Sequence, residues 1–180
     1  MSPPDTFVKR DPAAPDGFFE CEARGLAWLA EAEGGVPVVA VRHVDRSQIV
    51  LDRLRPASPT RAQAQQLGHR LARTHAAGSA VWGRDDGDGF IGPLPLPNGP
   101  YPSFTDLWWS GRIAPYLRRA VDRGLLSISD ADAVERVVAA HGPHAAVPAP
   151  ARVHGDLWSG NVVWTAGGAV LVDGGAAHGG

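Results

Sequence analysis

The segment Arg152–Asn161 has the sequence Arg-Val-His-Gly-Asp-Leu-Trp-Ser-Gly-Asn. Glycine, aspartate, serine and asparagine favour tight turns, so we predict a loop here. Two β-rich runs follow, Val162–Trp164 and Ala169–Asp173, with a glycine-containing turn between them. They predict a β-hairpin that returns the chain to the loop, so that the carboxylate at its end can meet the side chains of Asp156 and Asn161.

Three oxygen-bearing side chains would converge in this arrangement. An aspartate followed five residues later by an asparagine is the spacing of a kinase catalytic loop. Phosphoryl transfer needs a carboxylate beside the attacking hydroxyl and oxygen ligands for Mg²⁺. We therefore predict Asp156 as the catalytic base, with Asn161 and Asp173 as Mg²⁺ ligands. The alternative is a surface turn without chemistry, since all these residue types are common in turns.

The loop sequence His-Gly-Asp-Leu-Trp-Ser-Gly-Asn at 154–161 resembles the signature of the fructosamine kinase (ketosamine 3-kinase) family. This family belongs to the protein-kinase-like group that also holds the aminoglycoside and choline kinases. Further stretches agree with the family, and the resemblance covers nearly the whole chain: Phe7–Arg10, Glu22–Leu26, Leu67–Gly68, Leu71–Ala72 with His75, Phe90–Gly92 and Pro97–Asn98.

The resemblance implies an α+β, protein-kinase-like fold with two lobes and a requirement for ATP and Mg²⁺. It also implies phosphorylation of a sugar hydroxyl on a ketoamine, either a small molecule or a glycated protein side chain, which then becomes unstable and falls off. Two alternatives stay open. One is a kinase of another small alcohol or of an aminoglycoside, and the other is an inactive kinase-like fragment.

For the ATP side, the resemblance implies that Lys9 contacts the α- and β-phosphates and that Glu22 is its partner. The sequence supports the pair, because Glu22 lies on an apolar helical stripe with Phe19 and Leu26. A carboxylate in such a stripe is costly to desolvate unless a cation meets it. The alternative is that Glu22 only complements the positive end of its helix.

Four further assignments concern the adenine site, the support of the loop and the substrate. Asp52 and Leu54 fall in the run that the resemblance implies to be the hinge beside adenine. We predict that His154 braces the loop rather than acting as acid or base. Trp158 follows the base by two residues, and we hypothesise that its ring forms a platform for the substrate.

The order of predicted elements indicates a small sheet lobe at 1–54 followed by a larger helical lobe at 55–180, with the catalytic loop at 152–161 and the metal-binding hairpin at 162–173. The predicted strands cover 6–9, 38–44 and 48–54, and the predicted helices cover 18–32, 60–77, 103–123 (bent at Pro115) and 129–141. Residues 83–102 and 142–151 are predicted to be a loop and a linker.

The sequence departs from the family pattern at both ends. Only eight residues precede Lys9, where the family has two strands and a glycine-rich turn, and several helices of the large lobe have no counterpart after Asp173. Gly174-Gly175 stand where the family usually has Pro-Ala. We therefore expect a fold that lacks its first strands and last helices, and little or no kinase activity for this chain alone.

Composition limits the remaining possibilities. With 17 basic and 19 acidic residues among 180, the chain has no basic surplus that would favour nucleic acid or an anionic membrane. No stretch is apolar enough for a membrane span, and Cys21, the single cysteine, excludes an internal disulfide. These features favour a cytoplasmic protein, and they leave the oligomeric state open.

Overall fold

A computed structural model describes residues 5–141 and 149–180. The elements run along the chain in the following order. They are β1 (Thr6–Arg10), α1 (Phe18–Ala30), β2 (Val41–Asp45), β3 (Gln48–Asp52), α2 (Arg61–Ala76), β4 (Gly89–Ile91), β5 (Leu94–Leu96), α3 (Phe104–Asp106), a π-helical segment (Leu107–Ile113), α4 (Ala114–Asp122), α5 (Ile128–His141), β6 (Arg152–Val153), a 3₁₀ turn (Ser159–Asn161), β7 (Val162–Thr165), β8 (Gly168–Leu171) and β9 (His178–Gly179).

The N-terminal third is an antiparallel sheet with α1 packed against it. The strand order is β1-β3-β2, and β1 pairs with β3 along its whole length, from Thr6 opposite Asp52 to Arg10 opposite Gln48. A shift of register interrupts β2 between Val41 and His43. The core between sheet and helix contains Phe19, Leu26, Val39, Ile49 and Leu51, whose burial is the main source of stability here.

The hairpin β7–β8 is attached directly to this sheet domain. Leu171, at the end of β8, donates its backbone N–H to Pro37 O (2.8 Å) and accepts from Val39 N (2.9 Å). Val170 and Val172 also pack against the core of the sheet. The hairpin that carries the candidate metal ligand therefore has a fixed position relative to β1 and α1.

Helix α2 begins as the sequence predicts. The Thr60 hydroxyl accepts from the backbone N–H of Gln63, and the Gln63 side chain accepts from the backbone N–H of Thr60, which together form a capping box. The helix predicted at 129–141 is also present, as α5, and none of the helices in the described ranges is long and apolar enough to span a bilayer.

Several predicted boundaries were wrong. The helix predicted at 103–123 is interrupted by the π-helical segment, and Pro115 lies in the first turn of α4, directly after that segment. The loop predicted at 83–102 contains the hairpin β4–β5, and β6 pairs with β9, which was not predicted. Helix α1 ends at Ala30 rather than at residue 32, and a turn begins at Glu31. Most of the predicted linker, 142–148, lies outside the described residues.

Candidate active site

The loop before β7 is held by His154. This residue is 3% exposed, its Nε2 lies 2.9 Å from Val172 O, and its Nδ1 lies 3.4 Å from the backbone N of Asp156. The tautomer that satisfies both contacts carries its proton on Nε2, donates to Val172 and accepts from Asp156. His154 thereby ties the loop to the end of the hairpin, which is the bracing arrangement expected from the sequence.

Gly155 lets the loop pass close to the segment that precedes β9. Its φ is +80°, and a Cβ at this position would collide with the backbone carbonyl of Ala176. A residue with a side chain would be strained in this conformation and would push the loop away. The glycine between the histidine and the aspartate is therefore required by the geometry.

Asp156 and Asn161 lie together at the two ends of the loop. The Asn161 amide nitrogen donates to Asp156 O at 2.8 Å and to Asp156 Oδ2 at 3.1 Å. Because the amide nitrogen is used in this way, the Asn161 carbonyl oxygen is left as a possible cation ligand. Asn161 is buried and Asp156 is exposed, so the carboxylate is accessible to a ligand.

Asp173 follows the end of β8 by two residues and has an unusual backbone. Its φ is 61°, and among the described residues it alone has a positive φ without being glycine. This conformation costs an L-residue about 1 kcal/mol or more and is a common sign of a functional position. Asp173 Oδ2 lies 3.2 Å from Lys9 Nζ.

Lys9 joins Asp173 to helix α1. Its ammonium lies 2.7 Å from Glu22 Oε2, and the Glu22 side chain is almost fully buried whereas that of Lys9 is half-buried. Burial raises the pKa of Glu22, and the ammonium of Lys9 offsets only part of that effect. Burial acts to lower the pKa of Lys9, but Glu22 and Asp173 together outweigh it, so the net shift is upward.

A first cleft of about 470 Å³ lies between the sheet and the hairpin β7–β8. Its walls are mostly apolar and include Val39, Leu51 and Leu54 from one side and Val163 and Val172 from the other. The polar groups Lys9, Glu22, Asn161 and Asp173 lie together in its lining. A flat apolar ligand with a charged tail suits such a cleft.

A second cleft, of about 390 Å³, shares Asp173 and Glu22 with the lining of the first. Asp156 is in its wall, together with Phe18 of α1, Phe90 of β4 and Arg112 of the π-helical segment. Phe18 and Phe90 are in edge-to-face contact, with ring centroids 5.4 Å apart. Sequence reasoning missed the role of the β4–β5 hairpin in this wall, although Phe90–Gly92 was one of the stretches that agreed with the family.

The remaining predicted residues have different surroundings. Asp52 lines the first cleft, but its carboxylate is bound by Arg42 through two hydrogen bonds of 2.5 and 2.7 Å. Leu54 lines the same cleft. Trp158 is 61% exposed, its ring lies over Gly160, and it is in the wall of neither cleft.

The oxygen donors fit Mg²⁺ better than a softer metal. In the described ranges, no three Asp, Glu, His or Cys side chains are close enough to hold a metal by themselves. Mg²⁺ commonly uses one or two carboxylates and completes its shell with water and substrate phosphates. Asp173 and Asn161, which share the lining of the first cleft, are a donor set of that kind.

Comparison with known proteins gives the family. The model of the fructosamine kinase family matches residues 2–180. The chain belongs to the fructosamine kinase family. The fold is accordingly the protein-kinase-like α+β fold predicted from the sequence, and 97% of the chain superimposes on a crystal structure of a "putative fructosamine-3-kinase" from Thermobifida fusca, with 43% sequence identity and a TM-score of 0.85.

Curated relatives of this fructosamine kinase family member are longer than the chain. A probable ketoamine kinase of Thermus thermophilus is 33% identical over 168 residues, which are 92% of this chain and 58% of the relative. A probable ketoamine kinase of Synechocystis is 31% identical over 171 residues, with 93% and 57% covered. The chain thus spans somewhat more than half the length of these relatives and 61% of the Thermobifida protein.

Proposed function

We propose that this chain carries the nucleotide site and the catalytic base of an ATP-dependent kinase that phosphorylates a hydroxyl of a ketoamine. The observation that carries the proposal is the position of Asp173, which lines both clefts. The first cleft has Lys9 beside this carboxylate, and the second has Asp156. A phosphoryl group passing between two substrates needs such a common boundary.

The first cleft is the proposed nucleotide site. Adenine fits between the apolar side chains of Val39 and Leu51 on one side and Val163 and Val172 on the other. Lys9, held by Glu22 at 2.7 Å, would contact the phosphates. Leu54 and Asp52 would contribute through the backbone, since the Asp52 carboxylate is bound to Arg42.

Asp173 and Asn161 are the proposed ligands of Mg²⁺. The ion, when bound, neutralises charge on the transferred phosphoryl group. Before it binds, Lys9 partly neutralises Asp173 at 3.2 Å, so the carboxylate is already held at the boundary of the two clefts. Asn161 is fixed through its amide nitrogen on Asp156, which leaves its oxygen for the ion.

Asp156 is the proposed general base. The acceptor hydroxyl would lie in the second cleft, attack the γ-phosphorus and give its proton to Asp156. The new bond joins the acceptor oxygen to phosphorus, and the bond that breaks joins the γ-phosphorus to the bridging oxygen, which leaves with ADP. His154 fixes the loop for this step through Val172 and the Asp156 backbone.

We also propose the class of the acceptor, the cellular location of the protein and the division of the chain into lobes. The names of the relatives support a ketoamine, and phosphorylation of glycated amines would serve deglycation. Trp158 is proposed to contact the amine portion of a large acceptor from outside the cleft, because its ring is exposed beside the loop.

The single cysteine supports a cytoplasmic location, and residues 1–54 and 55–180 are the proposed lobes.

Nucleotide binding tests the proposal most directly. We expect calorimetry to detect ATP binding that depends on Mg²⁺, and Asp173→Asn to remove the Mg²⁺ dependence without unfolding the chain. Asp156→Asn should leave nucleotide binding within about twofold of the original, because the base is not a nucleotide ligand, and it should abolish any transfer to a ketoamine that the original shows. Failure of the chain to bind ATP with Mg²⁺ would refute the kinase assignment.

A further inference from the structure

Arg112 is a cation in the lining of the second cleft. Burial lowers its pKa, and the carboxylate of Asp88 offsets part of that effect without being within ion-pair distance. Its Nη1 donates to Pro97 O (2.5 Å) and Gly111 O (3.3 Å), and its Nη2 donates to Asn98 Oδ1 (2.7 Å). All three acceptors are neutral. None of the ion pairs between described residues includes Arg112.

Two other arginines that are at least partly buried differ from Arg112 in this respect. Arg84 is 7% exposed and forms a two-point ion pair with Asp86. Arg152 lies 3.4 Å from Glu31 and stacks on an aromatic ring. Taking a guanidinium out of water is costly unless an anion meets it. The chain supplies a carboxylate at Arg84 and Arg152 and only neutral acceptors at Arg112. Arg119 of α4 also forms none of the ion pairs between described residues, but it is not in the lining of this cleft.

The neutral acceptors use only some of the N–H donors of the guanidinium. A guanidinium has five N–H donors, and the three hydrogen bonds leave Nε–H and one hydrogen on Nη2. Pro97 and Asn98 directly follow β5, and Asn98 is 1% exposed with its backbone N–H bound to Asp88 at 2.9 Å. The arginine is thus fixed in a rigid part of the cleft wall.

The second cleft has charges of both signs in its lining. Glu22, Asp156 and Asp173 contribute carboxylates and Arg112 contributes a guanidinium, with the apolar rings of Phe18 and Phe90 also in the wall. His178, the remaining basic residue of the lining, is neutral near pH 7, since burial lowers its pKa to about 4. Because Glu22 is paired with Lys9, Arg112 is the group in this lining that would bind an anionic part of an acceptor whose hydroxyl lies beside Asp156.

We propose that Arg112 binds an anionic group of the acceptor, either a carboxylate on its amine portion or a phosphate ester on its sugar portion. This inference rests on the proposed kinase function and adds the class of acceptor, an anionic ketoamine, together with the residue that selects it. A guanidinium recognises carboxylates and phosphates through paired hydrogen bonds. The same group bound to Arg112 would help to orient the acceptor hydroxyl towards Asp156.

Three matched ligands test the proposal on the intact chain, saturated with Mg²⁺ and a non-hydrolysable ATP analogue. They are fructosyl-glycine, its glycinamide counterpart, and that glycinamide carrying a phosphate ester on the terminal sugar hydroxyl. By calorimetry, we expect at least one of the two ligands with an anionic group to bind about tenfold or more tightly than the glycinamide ligand that has none, as a charge-assisted hydrogen bond allows. The arm that shows the preference identifies the source of the anion.

Variants then connect the preference to one side chain. Arg112→Met should equalise the three dissociation constants, Arg112→Lys should keep part of the preference, and Arg123→Met, an exposed arginine after α4, should keep all of it. Since Arg112→Met also removes the bond to Asn98, its melting temperature is measured in parallel, and the ligand comparison on the unmodified chain does not depend on it.

The outcomes separate the two proposals. If the ATP analogue binds and the three ketoamines bind with equal affinity, or do not bind at all, the proposed role of Arg112 is overturned. The proposed nucleotide site is not affected by that result. A preference that survives in Arg112→Met also overturns it. Failure of the ATP analogue itself to bind overturns the kinase assignment and the inference that rests on it.

Discussion

Replacing Lys9 should destabilise the chain far more than replacing its partner Glu22. In Lys9→Met, the Glu22 carboxylate stays almost fully buried without its cation, and its Oε1 already has no hydrogen-bond partner in the described structure. Leaving a buried charge unpaired costs about 3 kcal/mol or more at pH 7. In Glu22→Gln no charge is stranded, because Lys9 keeps Asp173 at 3.2 Å, and we expect a loss of about 1 kcal/mol.

The double variant should recover much of the stability lost in Lys9→Met, because the stranded carboxylate is then absent. The pH dependence has a definite sign. Burial raises the pKa of Glu22, and removal of Lys9 raises it further, so the folded chain holds a proton that the unfolded chain releases. The stability gap between Lys9→Met and the original should therefore narrow as pH falls from about 7 to about 5.

Urea unfolding followed by tryptophan fluorescence measures these differences. The control is Arg46→Met, which breaks an exposed ion pair with Asp16 of the same length, 2.7 Å, and should cost less than about 1 kcal/mol. The reasoning is refuted if Lys9→Met is no more destabilising than this control, or if its gap to the original is the same at both pH values.

Three further outcomes are expected. Gly25→Ala should weaken both folding and nucleotide binding, because its Cβ would meet the carbonyl of Gly174 and push α1 from the metal-binding segment. The matched change Gly68→Ala has open space and should stabilise α2 by about 0.5–1 kcal/mol; equal effects in urea unfolding would contradict this. The pKa of His178 is lowered to about 4, so stability should fall by up to roughly 3 kcal/mol between pH 6.5 and 4, and His178→Gln should flatten that dependence. Trp158→Ala should weaken binding of a large ketoamine to the chain saturated with Mg²⁺ and an ATP analogue, and an unchanged dissociation constant in calorimetry would end its proposed role.

Local features of the site could be predicted because they depend on short spacings. The five-residue interval from Asp156 to Asn161 and the hairpin after it are contained in one stretch of chain. The apolar stripe around Glu22 also indicated a cationic partner, and the ion pair with Lys9 at 2.7 Å confirms that expectation. The residues of the loop and hairpin are close together in the sequence as well as in space. The ion pair could be predicted because a buried carboxylate requires a cationic partner.

The second cleft could not be predicted for the opposite reason. Strands β4 and β5 have three residues each, and Pro95 lies in the middle of β5, so no alternating pattern marks them. Strands β6 and β9 are two residues long and are held by tertiary contacts rather than by propensity. Arg112 lies in a segment that was predicted as ordinary helix, and its proposed role as a ligand-binding cation follows only from its position in the lining of the second cleft.

The position of Asp173 depends on constraints from both sides of it. Before it, β8 is fixed to the sheet domain through Leu171, which bonds to Pro37 and Val39. After it, Gly174 lies against the backbone of Gly25 and Leu26 in α1. Because both neighbours are held, the chain must turn sharply between them, and a left-handed conformation at Asp173, with φ of 61°, is the result.

That forced turn explains why an energetically unfavourable backbone lies where the chemistry is proposed. It directs the carboxylate to the ammonium of Lys9, 3.2 Å away, and places it in the walls of both clefts. A relaxed extended residue would continue the direction of β8 and lose this shared position. The cost of about 1 kcal/mol at one residue is therefore smaller than the stabilisation from the contacts that hold its two neighbours. Loosening either set of contacts should change the conformation of Asp173 before it affects the rest of the hairpin.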